Sequence, residues 1–179
     1  MFYLQVTNEI SLRLLSGIDA ENLFQLIDRS RQHLRQWLPW VDETKTIHDS
    51  RRFIEGCLEV YNNKTGLTAG VFYNNELVGV AGFNELDWKN KIGYIGYWLS
   101  ADWQGYGIMT RVVRALIDYA FTEKEFQRID IRAAYENKKS RAIPERLGFK
   151  QEGHLRQAEW LGDHYVDHIV YGMLSSEWK

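Results

Sequence analysis

The stretch from Tyr94 to Ala120 reads YIGYWLS, ADWQGYGIMT, RVVRALIDYA, and the rest of the chain is arranged around it. Its first piece is dense in aromatic and β-branched residues, the composition of a buried strand. Its last piece carries Val112, Val113, Leu116, Ile117, Ala120 and then Phe121 at a helical period. Between them lie Gly105 and Gly107, in Gln104-Gly105-Tyr106-Gly107-Ile108-Met109. A strand that passes through a glycine turn into a helix makes an anion site. The first helical N–H groups have no partner within the helix, and the dipole adds partial positive charge there. Glycine also admits a ligand to the backbone where a Cβ would obstruct it. The stretch predicts a phosphate or pyrophosphate cradle; the alternative is an ordinary turn. It is not a dinucleotide fingerprint, because Gly105-x-Gly107 is followed by Thr110, and no G-x-x-x-x-G-K-[ST] is present.

The 179 residues suit one domain, taken here as 1–179, with a sizeable core. A hydrophobic fraction of 45% and an aromatic fraction of 14% exclude a disordered chain. Seven tryptophans and ten tyrosines exceed what a core alone needs, so an aromatic pocket or an aromatic subunit interface, hence a homo-oligomer, is expected. A net charge of −2 gives no reason to expect a nucleic-acid or anionic-membrane partner. Cys57 is the one cysteine, which rules out an internal disulfide and reads as apolar filler rather than a nucleophile. With no signal peptide and no apolar span of about 20 residues, a soluble cytoplasmic protein is expected.

Upstream, Ile10-Ser11-Leu12-Arg13-Leu14 alternates like a half-buried strand, and Asp19 is an N-cap candidate for a helix holding Leu23, Phe24, Leu26 and Ile27. Leu34, Trp37, Leu38 and Trp40 follow, interrupted by Pro39. Thr46 to Tyr61 reads as an amphipathic helix with Ile47, Phe53, Ile54, Cys57, Leu58 and Tyr61 on its apolar side. Three strands follow, Leu67–Tyr73, Leu77–Leu86 and Lys91–Ser100, the first two joined by the tight-turn pair Asn74-Asn75. Downstream come a strand from Arg128 to Ala133, a loop and short helix from Asn137 to Leu147, and a hairpin from Phe149 to Met173. This order gives an α+β fold around a mixed, mostly antiparallel sheet of about seven strands, with one parallel step across the glycine turn.

The glycine turn resembles the Q/R-x-x-G-x-G/A acyl-CoA loop of the GNAT N-acetyltransferases. Gln104, Gly107 and Met109 fall on its marked positions, Met109 replacing the usual small residue. The segment Asn137-Lys138-Lys139-Ser140 to Leu147-Gly148-Phe149, running on to Glu152-Gly153, resembles the N-x-x-S/A…L-G-F stretch of the same family. With the long N-terminal helical section and Trp37-Leu38-Pro39-Trp40, the chain is similar to the RimJ/RimL branch, which acetylates N-terminal amines of ribosomal proteins. The resemblance runs from Ile10 to Met173.

The resemblance implies a GNAT fold splayed at the parallel step, acetyl-CoA as cosubstrate and no metal. It assigns the pyrophosphate to Gln104, Gly105, Tyr106, Gly107, Ile108, Met109 and Thr110, and the pantetheine arm to Asn137 and to the strand backbone around Tyr97 to Leu99, Trp98 and Leu99 among it, which could also polarise the thioester carbonyl. Lys139, with Lys138 and Arg141, either meets the nucleotide phosphates or is solvated. A tyrosine that many members use to protonate the leaving thiolate is replaced by Pro144. Ser140 takes that place as a hydrogen-bond donor, or else caps a helix. Glu159 matches the carboxylate base of the branch, or else is a surface strand residue, and Glu85 ranks second. His164 and His168, with Asp163 and Asp167, lack a convincing third ligand for a metal. Tyr135 is a further donor candidate, and Trp37, Trp40 and Trp160 are candidates for an acceptor pocket. Three functions follow as expectations: acetylation of a protein N-terminal amine, of a small amine such as a polyamine or aminoglycoside, or acyl-CoA binding without turnover. The first predicts an open groove beside the late hairpin. The second predicts a closed acidic pocket, with Asp42, Glu43, Glu85 and Asp87 as candidate lining.

Overall fold

The second strand of the sheet alternates buried and half-buried residues, and the two that follow it are buried almost throughout their apolar runs. The computed structural model describes all 179 residues. Strands β1 (Tyr3–Gln5), β2 (Ile10–Arg13), β3 (Leu67–Tyr73), β4 (Glu76–Asp87) and β5 (Ile92–Leu99) pair antiparallel in that order. Asn74 and Asn75 both take positive φ, the geometry of a tight hairpin turn whose twist matches its strands. Strand β6 (Arg128–Ala134) then pairs parallel with β5, and β8 (Tyr165–Leu174) and β7 (Lys150–Trp160) complete the sheet antiparallel. The sheet has eight strands, one more than the pattern predicted. The addition is β1, three residues with only Leu4 half-buried, too short for alternation to register.

Parallel pairing of β5 with β6 runs only from Ile92–Arg128 to Ile95–Ile131. Beyond it β5 continues to Leu99 and β6 to Ala134 with no register between them, so the sheet opens there. Helix α4 (Ile108–Asp118) makes the crossover and buries Ile108, Met109, Val112, Val113, Leu116 and Ile117 against the sheet. Each such side chain contributes about 1.5–3 kcal/mol of burial.

The other face is covered by α1 (Ala20–Arg29), α2 (Arg31–Leu34) and α3 (Ile47–Asn62), which pack Leu23, Leu26, Ile27, Leu34 and Ile54 against Phe72, Leu77 and Val80. Asp19 does not cap α1 with its side chain. Its carboxylate takes two bonds from Arg13, at 2.8 and 2.9 Å, and another from the Ser16 N–H. Helix α3 is less apolar than its spacing predicts: Ile54 is buried, but Ile47 and Phe53 remain 39% and 40% exposed. Thr46 and Asp49 form its capping box. Helix α5 (Lys138–Arg146) follows β6 and stands across the opening from β5.

Candidate active site

Two cavities meet where β5 and β6 part. The larger, about 820 Å³, lies between the glycine turn, α2 and α5. Gly105 and Gly107 take φ of +83° and +71°, left-handed conformations that favour glycine, and Gly107 is the N-cap of α4. None of the backbone N–H groups from Gly105 to Thr110 finds a backbone acceptor; the first that does is that of Arg111, to Gly107. Free donors of this kind at a helix N-terminus are an arrangement that favours anions. Arg111, Lys138, Lys139 and Arg146 add positive charge to the lining, against a single carboxylate, Glu136.

Side chains brace this cradle. The Lys139 ammonium donates to Gln104 Oε1 at 3.0 Å, and Gln104 Nε2 lies 2.7 Å from His33 Nε2. With its oxygen engaged by Lys139, Gln104 presents its NH₂ to His33, which must accept as a neutral ring. Burial, with the nearby Lys139 charge, holds the His33 pKa below its ordinary value. Arg146 donates to the Thr110 hydroxyl at 2.6 Å, tying α5 to the first turn of α4.

The smaller cavity, about 440 Å³, opens toward the late hairpin and is aromatic. Trp40 stacks on Phe53 with centroids 6.3 Å apart and tilts against Trp98 at 6.0 Å. Glu159 is its only carboxylate, 3.4 Å from His168 Nε2. A β-bulge puts Glu159 there: between Leu155 and Glu159, β7 carries more residues than β8 sets opposite it, with Gln157 at positive φ. Such bulges redirect side chains. A second bulge in β4 leaves Asn84 over Gly96, where a Cβ would come within 2.4 Å of the amide.

Trp37, Leu38, Tyr97, Trp98, Asn137 and Ser140 line both cavities and mark their junction. Asn137 is the N-cap of α5, its Oδ1 accepting from the Ser140 N–H at 3.3 Å. Capping therefore falls to Asn137, and Ser140 sits in the first turn with its hydroxyl uncommitted to that role.

The other predicted positions separate clearly. Trp98, Leu99, Gln104, Gly105, Gly107, Ile108, Met109, Thr110, Asn137 and Lys139 line the larger cavity. Tyr106 does not; it is exposed and tilts against Trp103. Arg141 is occupied elsewhere, donating to the Tyr171 hydroxyl and the Tyr135 carbonyl at 2.8 Å each. Tyr135 stacks on His154, and Trp160 packs edge-on to Tyr165. Glu85 is exposed, and neither it nor Asp42, Glu43 or Asp87 lines either cavity. The histidines disperse: His164 pairs with Asp163, Asp167 with His154, and His168 with Glu159. Cys57 is half-buried, and burial pushes its thiol pKa up.

Sequence reasoning missed His33, Asn84, Arg132 and Arg146. His33 lies 71 positions from its partner Gln104, and no local pattern marks it. Arg146 reads as a last-turn helix cation until the fold brings Thr110 to it.

A family model described as acetyltransferase (GNAT) domain matches residues 9–150. The chain belongs to the GNAT acetyltransferase family. It is 37% identical, over all of this chain and 98% of the other, to a Bacillus subtilis (strain 168) protein named "Putative ribosomal N-acetyltransferase YdaF". It superimposes on RimL, a ribosomal L7/L12 alpha-N-protein acetyltransferase solved with coenzyme A. The TM-score is 0.93 and the identity 29%, over 97% of this chain and 98% of that one. Against the microcin C7 self-immunity acetyltransferase MccE, solved with acetyl-CoA and AMP, the TM-score is 0.91 and the identity 32%, over 96% and 95% of the two chains. The protein is thus a GNAT N-acetyltransferase that uses acetyl-CoA. The unpaired N–H groups and the cationic lining suit the phosphates of that cosubstrate.

Proposed function

We propose that residues 1–179 form one acetyltransferase domain that acetylates the N-terminal amine of a protein, a ribosomal protein in particular. The observation that carries this reading is the junction of the cavities: Ser140 and Glu159 line one aromatic space that opens beside the late hairpin. A lone carboxylate there argues against a polycation acceptor, for which several converging acids are expected. Similarity to RimL and to the Bacillus subtilis protein named "Putative ribosomal N-acetyltransferase YdaF" supports the same acceptor class.

In this reading Gly105, Gly107, Ile108, Met109 and Thr110 hold the pyrophosphate through their N–H groups. Gln104 is held by Lys139 and His33 to support the turn, and exposed Tyr106 flanks its outer side. Trp98 and Leu99 offer the open edge of β5 to the pantetheine arm, with Asn137 opposite. Acetyl-CoA supplies the acyl group as a thioester. The amine attacks directly with both substrates bound: the new C–N bond forms, the C–S bond breaks, and CoA leaves as thiolate. Glu159 accepts the proton from the amine, through water, and Ser140 donates a hydrogen bond to the thiolate. An α-amine has a pKa of about 8, so part of it is already neutral near neutrality. Placement therefore contributes more than the base.

The same reading locates the protein in the cytoplasm, where ribosomes and acetyl-CoA are met; no helix is long and apolar enough to cross a membrane. It also includes self-association, supported by the exposed Trp160–Tyr165 pair on the late hairpin.

An isotopically labelled acetyl-CoA incubation with a ribosome-containing lysate, read by mass spectrometry, tests the acceptor. Label is expected on the N-terminal residue of a ribosomal protein. Label confined to small amines overturns that acceptor and keeps the chemistry.

A further inference from the structure

Proline in the interior of a helix has no N–H for the carbonyl four residues back, and its ring crowds that carbonyl. In α5 the proline is Pro144 and the carbonyl belongs to Ser140. Tyr97 replaces the missing donor, its hydroxyl meeting the Ser140 carbonyl oxygen at 2.8 Å. Tyr97 lies two residues beyond Ile95, the last β5 residue paired with β6. The bond therefore crosses the opening between the strands, at the junction of the cavities. Burial pushes the Tyr97 pKa up, so the phenol remains a donor throughout the working range of pH.

Ser140 is consequently held at both ends of its backbone: its N–H by Asn137 at 3.3 Å, its carbonyl by Tyr97. Its hydroxyl is left to the cavities that it lines. With Ala at position 144 the helix would supply the donor itself and the tyrosine hydroxyl would be redundant. We propose that Tyr97 and Pro144 form a latch that positions Ser140 toward the leaving thiolate. Pro144 frees the carbonyl, and Tyr97 captures it across the opening and fixes the first turn of α5. Tyr97 is here a positioning residue. The inference rests on the role given to Ser140 under Proposed function.

The test is a cycle of Tyr97→Phe and Pro144→Ala, alone and together, with kcat and the acetyl-CoA KM measured for each. Tyr97→Phe is expected to lower kcat about 10-fold and leave KM within about twofold, the mark of misplaced chemistry rather than lost binding. In the Pro144→Ala background the same change should cost less than about twofold, because the alanine N–H now holds the carbonyl. In a Ser140→Ala background it should cost nothing further. The double variant also guards against misfolding, since it is expected to be both folded and active. An equal loss with and without Pro144, or a change in KM alone, overturns the latch and leaves the function of Ser140 intact. An unchanged kcat in Ser140→Ala overturns the role of Ser140, and the latch with it.

Discussion

The two cavities are built by opposite means. The larger is lined by consecutive backbone N–H groups between Gly105 and Thr110 that have no backbone acceptor, and positive side chains are added at its rim. The smaller takes its character from side chains gathered from distant elements: Trp40 from the turn after α2, Phe53 from α3, Asn84 from β4, Glu159 from β7 and His168 from β8. A backbone cradle depends on conformation, so single side-chain changes at its rim are tolerated. A cavity made of side chains depends on each of them. The first suits a cosubstrate shared by a whole family, and the second an acceptor that differs among its members.

That contrast ranks the expected effects of mutation. Glu159→Gln should act most strongly, lowering kcat about 100-fold while the acetyl-CoA dissociation constant stays unchanged by calorimetry. Weakened acetyl-CoA binding in that variant would erase the division between the cavities. Gly107→Val forces a β-branched residue to φ +71° and should weaken acetyl-CoA binding about 10-fold, the equivalent of 1–2 kcal/mol of backbone strain. A Gly107→Val protein that binds normally would mean that the cradle does not depend on this conformation. Lys139→Met should raise the acetyl-CoA KM only about threefold, and the difference should shrink in high salt because the ammonium is exposed. A salt-independent loss would assign Lys139 to bracing Gln104 rather than to charge.

The smallest effect concerns pH. His33 has a lowered pKa in the folded protein, so the unfolded chain takes up that proton first as pH falls. The stability that neutral His33 contributes is present above about pH 6.5 and is lost as pH drops from there through the lowered folded value. Acidification from pH 7.5 to 5.5 should therefore lower the Tm of the unaltered protein more than that of His33→Asn. Equal shifts in the two proteins would show that the Gln104–His33 bond is indifferent to protonation.

The same contrast explains what the sequence disclosed. The glycine turn was legible because a strand, two glycines and a helical period stand in one continuous stretch, and the chemistry of a helix N-terminus is local. The meander was legible for a similar reason: Asn74-Asn75 dictates its turn, and β3 and β4 are near-continuous apolar runs that end at it. Short β1 escaped, since three residues carry no period. Asp19 has the sequence signature of a cap, but Arg13, its partner across the turn, is invisible to helix-start patterns. Glu159 could be named only by resemblance, because the bulge that aims it depends on how β7 meets β8. Ser140 shows the limit most plainly. Pro144 in the sequence reveals that a carbonyl has lost its donor, yet the hydroxyl that replaces it comes from Tyr97, on another strand.

In the proposed mechanism acetyl-CoA and the amine occupy adjoining cavities at the same time. Initial rates measured while both substrates are varied, with the acceptor identified by mass spectrometry, test it most directly. Lines that intersect in double-reciprocal form, with no acetyl group retained on the protein, are the predicted result. Parallel lines, together with an acetylated protein after acetyl-CoA alone, would show a covalent relay through the enzyme and would contradict it.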